Sequence, residues 1–284
     1  MRSVYCKDFE YDGQRLSDYE CIVCRILEGG DASAINIGSQ ITFNTLPIAS
    51  GNKFKLMSTQ YTETYTATFE ICKYSCLDSD NNFFTQEEVS CLMRWLNKKR
   101  FKKFKMVYED GELADVYYNA SFNVNPITYY GDIIGLQLTL QTDAPFGYYE
   151  EVEYTMEFTE RNLNHSFFDT SDEIGYIYPS SMTIELLANG DFEMVNSQED
   201  RITSIKNCKA GEIITLVENK TISSSINHSK LYNDFNYVFP RICNENEDIY
   251  GYGYTTDNME NLFTVNMPCK ITFKYSPICK MGIV

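Results

Sequence analysis

Histidine is the residue type best suited to acid–base chemistry near neutral pH, and this sequence has only two, His165 and His228. Each lies in a short run of Asn and Ser residues, which predicts a polar surface loop. The chain has no GxSxG motif to present a nucleophilic serine and no glycine-rich motif to hold a phosphate. We therefore predict no catalytic residue and no enzymatic activity.

Carboxylates are abundant, since the chain has 40 acidic residues, and pairs of them occur throughout the sequence. The densest group near a predicted strand is Glu150, Glu151 and Glu153. Two carboxylates across a sugar bond are the glycosidase arrangement, but nothing in the sequence selects such a pair. We interpret these three residues as charges on an edge strand, where they discourage unwanted strand pairing.

Ten cysteines raise the alternatives of disulfides and a metal site. Cys21 and Cys24 form a CxxC within the strand-like run Tyr19–Leu27, where alternation would point their sulfur atoms to opposite faces. No second CxxC or His pair completes four ligands, and Cys72 and Cys76 have a different spacing. We expect no metal and no cofactor, and reduced thiols that act as small buried hydrophobic groups.

The chain has 284 residues, 24 basic and 40 acidic, giving a net charge of −16. Neither half has the basic excess that affinity for a nucleic-acid backbone requires. No apolar run approaches the roughly 20 residues of a membrane helix, so we expect no membrane insertion. The first eight residues lack the apolar stretch of a signal peptide, and we expect the protein to be made and kept in the cytosol unless it leaves within a particle.

The elements that carry these residues are predicted to be mostly strands, because 22 Tyr and 18 Phe accompany many Thr, Ile and Val. One helix is predicted after Thr85, whose capping box with Glu88 precedes an apolar face of Val89, Leu92, Met93 and Leu96. Trp95 and the tyrosine pairs are interpreted as sheet packing rather than as sugar-stacking residues. The cations that follow, from Lys98 to Lys105, are interpreted as helix-end and solvated charges, with a docking patch for an acidic neighbour as the alternative.

A domain boundary is predicted after Gln141–Gly147, where Pro and Gly end a strand. We expect a barrel- or sandwich-like α+β domain over residues 1–150 and a β-sandwich over residues 151–284. Ala188–Asp191 predicts a hairpin turn. Leu46–Lys53 is expected to be a plain surface loop, with an arm that pairs with a neighbouring subunit as the alternative.

The order of the segments resembles the N-terminal belt domain of the distal tail (Dit) proteins of siphophages that infect Gram-positive hosts. Its most specific marks are Arg94-Trp95-Leu96 and the run Thr139–Gly147, TLQTDAPFG. The second half resembles the galectin-like C-terminal domain of that family. The segments that carry this second resemblance are Pro179–Leu186, Gly211–Leu216, Phe235–Ile242 and Ile271–Tyr275.

The resemblance implies a structural hub at the tip of a virion tail, assembled in the cytoplasm of the host bacterium. It implies a hexameric ring of belt domains that joins the tail tube protein to tail-associated baseplate proteins, with outer domains that carry receptor-binding or other peripheral proteins. DNA would pass through the lumen without specific binding. The alternative is a carbohydrate-binding module, with residues 151–284 recognising a cell-wall polysaccharide.

Overall fold

The chain divides into two units in a computed structural model. Unit 1 comprises residues 1–148 and 279–284, and unit 2 comprises residues 149–278. The structure describes residues 6–24, 38–48, 52–74, 83–108, 116–199, 201–244 and 260–280. Strands dominate both units, which confirms the prediction of a mainly β protein. No helix among these residues is long and apolar enough to cross a membrane.

The strands of unit 1 are β1 (Cys6–Tyr11), β2 (Gln14–Arg15), β3 (Cys21–Cys24), β4 (Ile41–Pro47), β5 (Phe54–Tyr61), β6 (Thr66–Lys73), β7 (Lys102–Tyr108), β8 (Val116–Tyr129), β9 (Asp132–Thr142) and β10 (Gly147–Tyr149). The strand β22, Ile278–Cys279, lies where the chain re-enters this unit. The main sheet is antiparallel along the path β2-β1-β7-β8-β9-β6-β3, and β10 pairs with β8. A 3₁₀ turn, Leu16–Tyr19, and the helix α1, Gln86–Leu96, accompany the sheet.

The helix α1 begins at the predicted capping box. The Glu88 amide donates to the Thr85 hydroxyl oxygen at 3.2 Å, and the Thr85 amide donates to the Glu88 carboxylate at 2.7 Å. The predicted apolar face is partly wrong, because Leu92, Trp95 and Leu96 are the buried residues and Met93 is exposed. Residues at spacings of three and four share one helix face, and Trp95 rather than Met93 completes that face with Leu92.

Aromatic rings fill the space between this helix and the sheet. Phe9, Phe104 and Phe122 are fully buried on neighbouring strands, with ring centroids 5.3–5.8 Å apart. Trp95 stacks on Phe9, and its indole N–H donates to the Tyr11 carbonyl oxygen at 3.0 Å. The Trp95 ring is thus a core element with its single donor satisfied, as the packing interpretation predicts.

The strands of unit 2 are β11 (Val152–Phe158), β12 (Asn164–Phe168), β13 (Gly175–Ile177), β14 (Ser181–Leu186), β15 (Gly190–Asn196), β16 (Ile202–Cys208), β17 (Ile213–Val217), β18 (Thr221–Ser224), β19 (Ile242–Asn244), β20 (Glu260–Val265) and β21 (Cys269–Tyr275). They form a β-sandwich of two antiparallel sheets, with the orders β11-β21-β14-β17-β18 and β12-β20-β15-β16. A two-stranded ladder of β13 and β19 and the short helix α2, Leu231–Asp234, complete the unit.

Alternation along the strands produces the core of unit 2. Met182, Ile184 and Leu186 of β14 are buried, and Phe192 and Met194 of β15 face them from the other sheet within one hydrophobic cluster. The predicted hairpin at 188–191 is therefore wrong, because β14 and β15 lie in different sheets. The buried faces of the strands, rather than the turn residues, decide their partners.

The strand β11 lies at the edge of its sheet, as the acidic residues around it predict. Glu153 forms an ion pair with Lys274 at 3.0 Å, and Glu157 lies 3.7 Å from Lys270, both on the neighbouring strand β21. These exposed pairs occupy cross-strand positions and add little stability individually. Their charges keep this edge hydrophilic.

Candidate functional site

The two histidines have structural environments that differ from the predicted surface loops. His165 belongs to β12, where Nε2 lies 2.6 Å from the Glu157 carbonyl oxygen and the ring packs on Phe158. The His228 side chain is only 6% exposed, and its two ring nitrogens contact Glu212 and Asp234. The surface-loop prediction is therefore wrong for His165, which lies in a strand, whereas His228 lies in a loop as predicted but has a buried side chain. Neither ring is paired with a nucleophile in these contacts.

Most of the cysteines whose side chains the structure describes are buried thiols. Cys21 is buried and Cys24 is half-buried, and the part of the run Tyr19–Leu27 beyond Cys24 lies outside the described residues, as does Cys76. Burial, with Cys72 close by, raises the pKa of Cys21 to about 12, so this thiol stays protonated at neutral pH. Among the described side chains, no group of three or more His, Cys, Asp or Glu is arranged to hold a metal ion.

The feature of unit 1 that its own core does not explain is the hairpin of β4 and β5, which we name the arm (residues 41–61). Within the described residues, these two strands pair with each other and with no other strand. The arm is attached at its base, where the Thr62 amide donates to the Gln40 carbonyl oxygen at 2.9 Å and Tyr61 packs on Phe146. Tyr65 then returns the chain to the core.

The strand register gives the arm two different faces. Directly opposed residues share a face, so Ile41 with Tyr61 and Pro47 with Phe54 lie on the same side. A bulge between Asn44 and Thr45 adds Met57 on the β5 side. The resulting face is mostly apolar and carries Ile41, Phe43, Pro47, Phe54, Leu56 and Tyr61 together with Thr45 and Thr59.

The opposite face of the arm is mostly polar. Asn44 donates its side-chain amide to Ser58 Oγ at 3.0 Å, and the Thr42 and Thr62 hydroxyls lie 2.8 Å apart. Toward the tip this face carries Leu46, which is exposed. The arm is therefore an amphipathic ribbon whose apolar side is not covered by the described part of its own chain.

An uncovered ribbon of this kind is unfavourable for an isolated subunit. Phe43 is 63% exposed and Phe54 is 68% exposed, and Ile41, Leu56 and Met57 are also exposed. A two-stranded hairpin alone is at best marginally stable in water. Exposed apolar side chains that cluster on one face of a ribbon mark an interaction site. The physical role that fits the arm is docking of its apolar face on another protein surface.

The plain-loop expectation for Leu46–Lys53 is wrong at both ends, since strand pairing continues to Pro47 and Phe54 and the Ile48 amide donates to the Lys53 carbonyl oxygen at 3.0 Å. The alternative, an arm that pairs with a neighbouring subunit, stays a prediction. Residues 49–51 lie outside the described residues. The signal that points to an arm is the alternation of Ile41, Phe43 and Thr45 facing a second strand-like run that begins at Phe54.

The cationic run after α1 is engaged locally in part. Lys102 forms an ion pair with Asp12 at 3.1 Å, and the Lys103 ammonium lies 4.3 Å from the centroid of the Tyr117 ring. These contacts agree with the interpretation of the run as local charges. The geometry gives no support to the alternative that the run is a docking patch.

Comparison with known proteins places both units among phage tail proteins. Residues 4–144 match a family model described as a phage tail protein N-terminal domain, and residues 146–275 match one described as a phage tail C-terminal domain. A search of curated proteins finds no match.

Among solved structures, the chain is similar to the Dit protein (gp 19.1) of phage SPP1, described as a paradigm of the hub adsorption apparatus in phages that infect Gram-positive bacteria. The TM-score is 0.62 at 10% sequence identity, over 96% of this chain and 99% of that one. At this identity the likeness shows the shared fold. The two family matches, which together span most of the chain, show that it belongs to a family of phage tail proteins.

Proposed function

We propose that this phage tail protein is the structural hub of the tail tip, and that its arms join copies of the chain into a ring. The single observation that carries the proposal is the arm, whose apolar face requires a covering surface. When one element docks on a different surface of an identical neighbour, the contact is heterologous, and repeated contacts of this type close into rings or continue as filaments. A tail tip requires the closed form.

In this proposal residues 1–150 form the ring, and the galectin-like residues 151–284 remain available for peripheral or receptor-binding proteins. The resemblance to Dit proteins supports six subunits, with the tail tube protein on one side of the ring and tail-associated baseplate proteins on the other. The site of action is the virion tail tip, after assembly in the host cytoplasm. No catalytic step belongs to this role.

The overall charge fits such a ring. At −16 the chain carries a surplus of carboxylates, and an electronegative lumen would repel the phosphate backbone of passing DNA rather than retain it. The lumen is thus expected to conduct DNA without binding it.

Removal of the arm tests the proposal directly. We would replace residues 42–60 with a short Gly-Ser linker and compare the variant with the unaltered chain by light scattering and electron microscopy. The unaltered chain should form closed rings at high concentration, and the variant should remain monomeric and still unfold in a cooperative thermal transition. Rings that persist without the arm, or an unaltered chain that is monomeric at every concentration and in assembled tails, would refute the proposal.

A further inference from the structure

A buried triad of charged side chains in unit 2 has no part in the proposed ring. His228 lies between two carboxylates, with Nδ1 2.8 Å from Glu212 Oε1 and Nε2 3.1 Å from Asp234 Oδ2. The Glu212 side chain is fully buried, and those of His228 and Asp234 are nearly so. Both ring nitrogens donate hydrogen bonds only when the imidazole is protonated. The geometry therefore favours the imidazolium form.

The triad connects pieces of chain that are distant in sequence. Glu212 precedes β17 and also accepts a hydrogen bond from Ser224 at the end of β18, while Asp234 belongs to α2. His228 lies in the 225–241 segment, the connection between β18 and β19 that contains α2. One protonated ring thus ties this segment to the sheet edge formed by β17 and β18.

The 225–241 segment has a buried side and an exposed side. Leu231, Phe235 and Phe239 join the hydrophobic core of unit 2. Tyr232 and Tyr237 are exposed on the same short segment. Hydrogen bonds between Asn236 and β16 anchor the later part of the segment, and the triad anchors the part that follows β18.

We propose that His228 is a proton-controlled clasp that fixes the 225–241 segment when protonated and loosens it when the ring loses its proton. Loss of the proton removes one donor, so one of the two nearly buried carboxylates loses its hydrogen bond from the ring. Glu212 keeps its hydrogen bonds from Ser224 and from the Lys209 amide, but its buried charge then lacks a cationic partner, which shifts the segment toward open conformations. The exposed Tyr232 and Tyr237 would then lose their fixed positions.

The neighbouring charges give the sign of the pH dependence. Burial lowers the pKa of His228, but the hydrogen bonds to Glu212 and Asp234 outweigh it and raise the pKa above the ordinary value of 6.5. Burial raises the pKa of Glu212, but the hydrogen bonds from Ser224 and His228 outweigh it, and the net pKa is lowered. Among the described residues, the titratable groups near the triad include Asp191 in β15, Cys208 in β16 and Lys230 in the segment itself.

The directions of the two pKa shifts define the pH range in which the clasp is closed. A raised histidine pKa means that its contribution is complete below about 6.5 and is lost as the pH rises through the folded-state value. A lowered Glu212 pKa means that its contribution is lost only as the pH falls through a value below the ordinary 4.5. The clasp is closed between these limits and opens on the alkaline side.

Two measurements on the full-length chain test the clasp. NMR of ¹³C-labelled histidine should give a His228 titration midpoint above 6.5, with the only other histidine signal identified in the His165→Gln variant. Hydrogen exchange of the 225–241 segment, corrected for intrinsic rates, should lose protection by up to about tenfold per pH unit above that midpoint. Peptides from β14 and β21 in the core serve as controls and should not change.

The variant His228→Gln separates a clasp from a merely structural residue. A clasp predicts low protection of the segment in this variant at pH 6 and pH 9 alike, so that the pH dependence disappears. Equal loss of protection at every pH with the slope retained would overturn the proposal. A His228 midpoint at or below 6.5 in the unaltered chain, or protection that is constant from pH 6 to pH 9, would also overturn it, and neither measurement requires the variant to fold.

Discussion

Polar substitution of the two arm phenylalanines, Phe43→Ser and Phe54→Ser, should weaken assembly by an amount that the structure allows us to calculate. A phenylalanine presents about 200 Å² of surface, so exposures of 63% and 68% leave about 130 Å² per ring to be covered in the ring interface. At about 25 cal/mol per Å², each ring contributes about 3 kcal/mol when fully covered. Each single substitution should therefore raise the dissociation constant of a subunit contact by about 100-fold.

Mass photometry or analytical ultracentrifugation over a dilution series measures this shift as the concentration at which rings form. The control in the arm is Gln60→Ser, on the polar face opposite the phenylalanines. The control outside the arm is Phe168→Ser, a phenylalanine of unit 2 that is 51% exposed. Both controls should assemble like the unaltered chain. If the variant with both phenylalanines replaced forms rings at the same concentration as the controls, the arm does not supply the contact.

Three further predictions concern the core and the helix of unit 1, each measured as the free energy of unfolding in urea. Trp95→Ala should cost about 3–5 kcal/mol, since it removes a buried ring, and Trp95→Phe should cost less. Gly147→Ala should cost about 1–3 kcal/mol, because the added Cβ would lie 2.8 Å from the Tyr118 ring, and the double variant with Tyr118→Leu should recover part of the loss. Thr85→Ala should cost about 1 kcal/mol through loss of the helix cap, whereas Thr85→Ser should be nearly neutral; equal losses in both would contradict the capping role.

Local signals in the sequence were sufficient to predict those features that depend only on residues close together in the sequence. The capping box of Thr85 and Glu88 requires only four consecutive residues, and it lies at the predicted place. The turn at Ala188–Asp191 is also local, but the pairing of β14 depends on β17 and β21, which follow much later in the chain. Hydrophobic alternation alone does not distinguish a hairpin from a connection between two sheets.

The environment of His228 shows why sites are harder to predict than strands. Its polar sequence neighbours predicted an exposed loop, whereas its contacts are Glu212, 16 residues earlier, and Asp234, 6 residues later. The arm was only the second choice for a related reason, since apolar alternation is usually evidence of burial within the same chain. Only the strand pairing shows that β4 and β5 have no third strand beside them in the described residues.

The arm is apolar mainly on one face, and this affects how newly made subunits behave before they assemble. A ribbon that is apolar on both faces could stack without limit, which is the geometry of fibrils and amorphous precipitates. Here the hydrogen-bonded side chains of Thr42, Asn44 and Ser58 keep one face hydrated, so a single covering event satisfies the arm. Because the proposed contacts close into a ring, a cell that produces this chain in excess should accumulate rings rather than aggregates that keep growing.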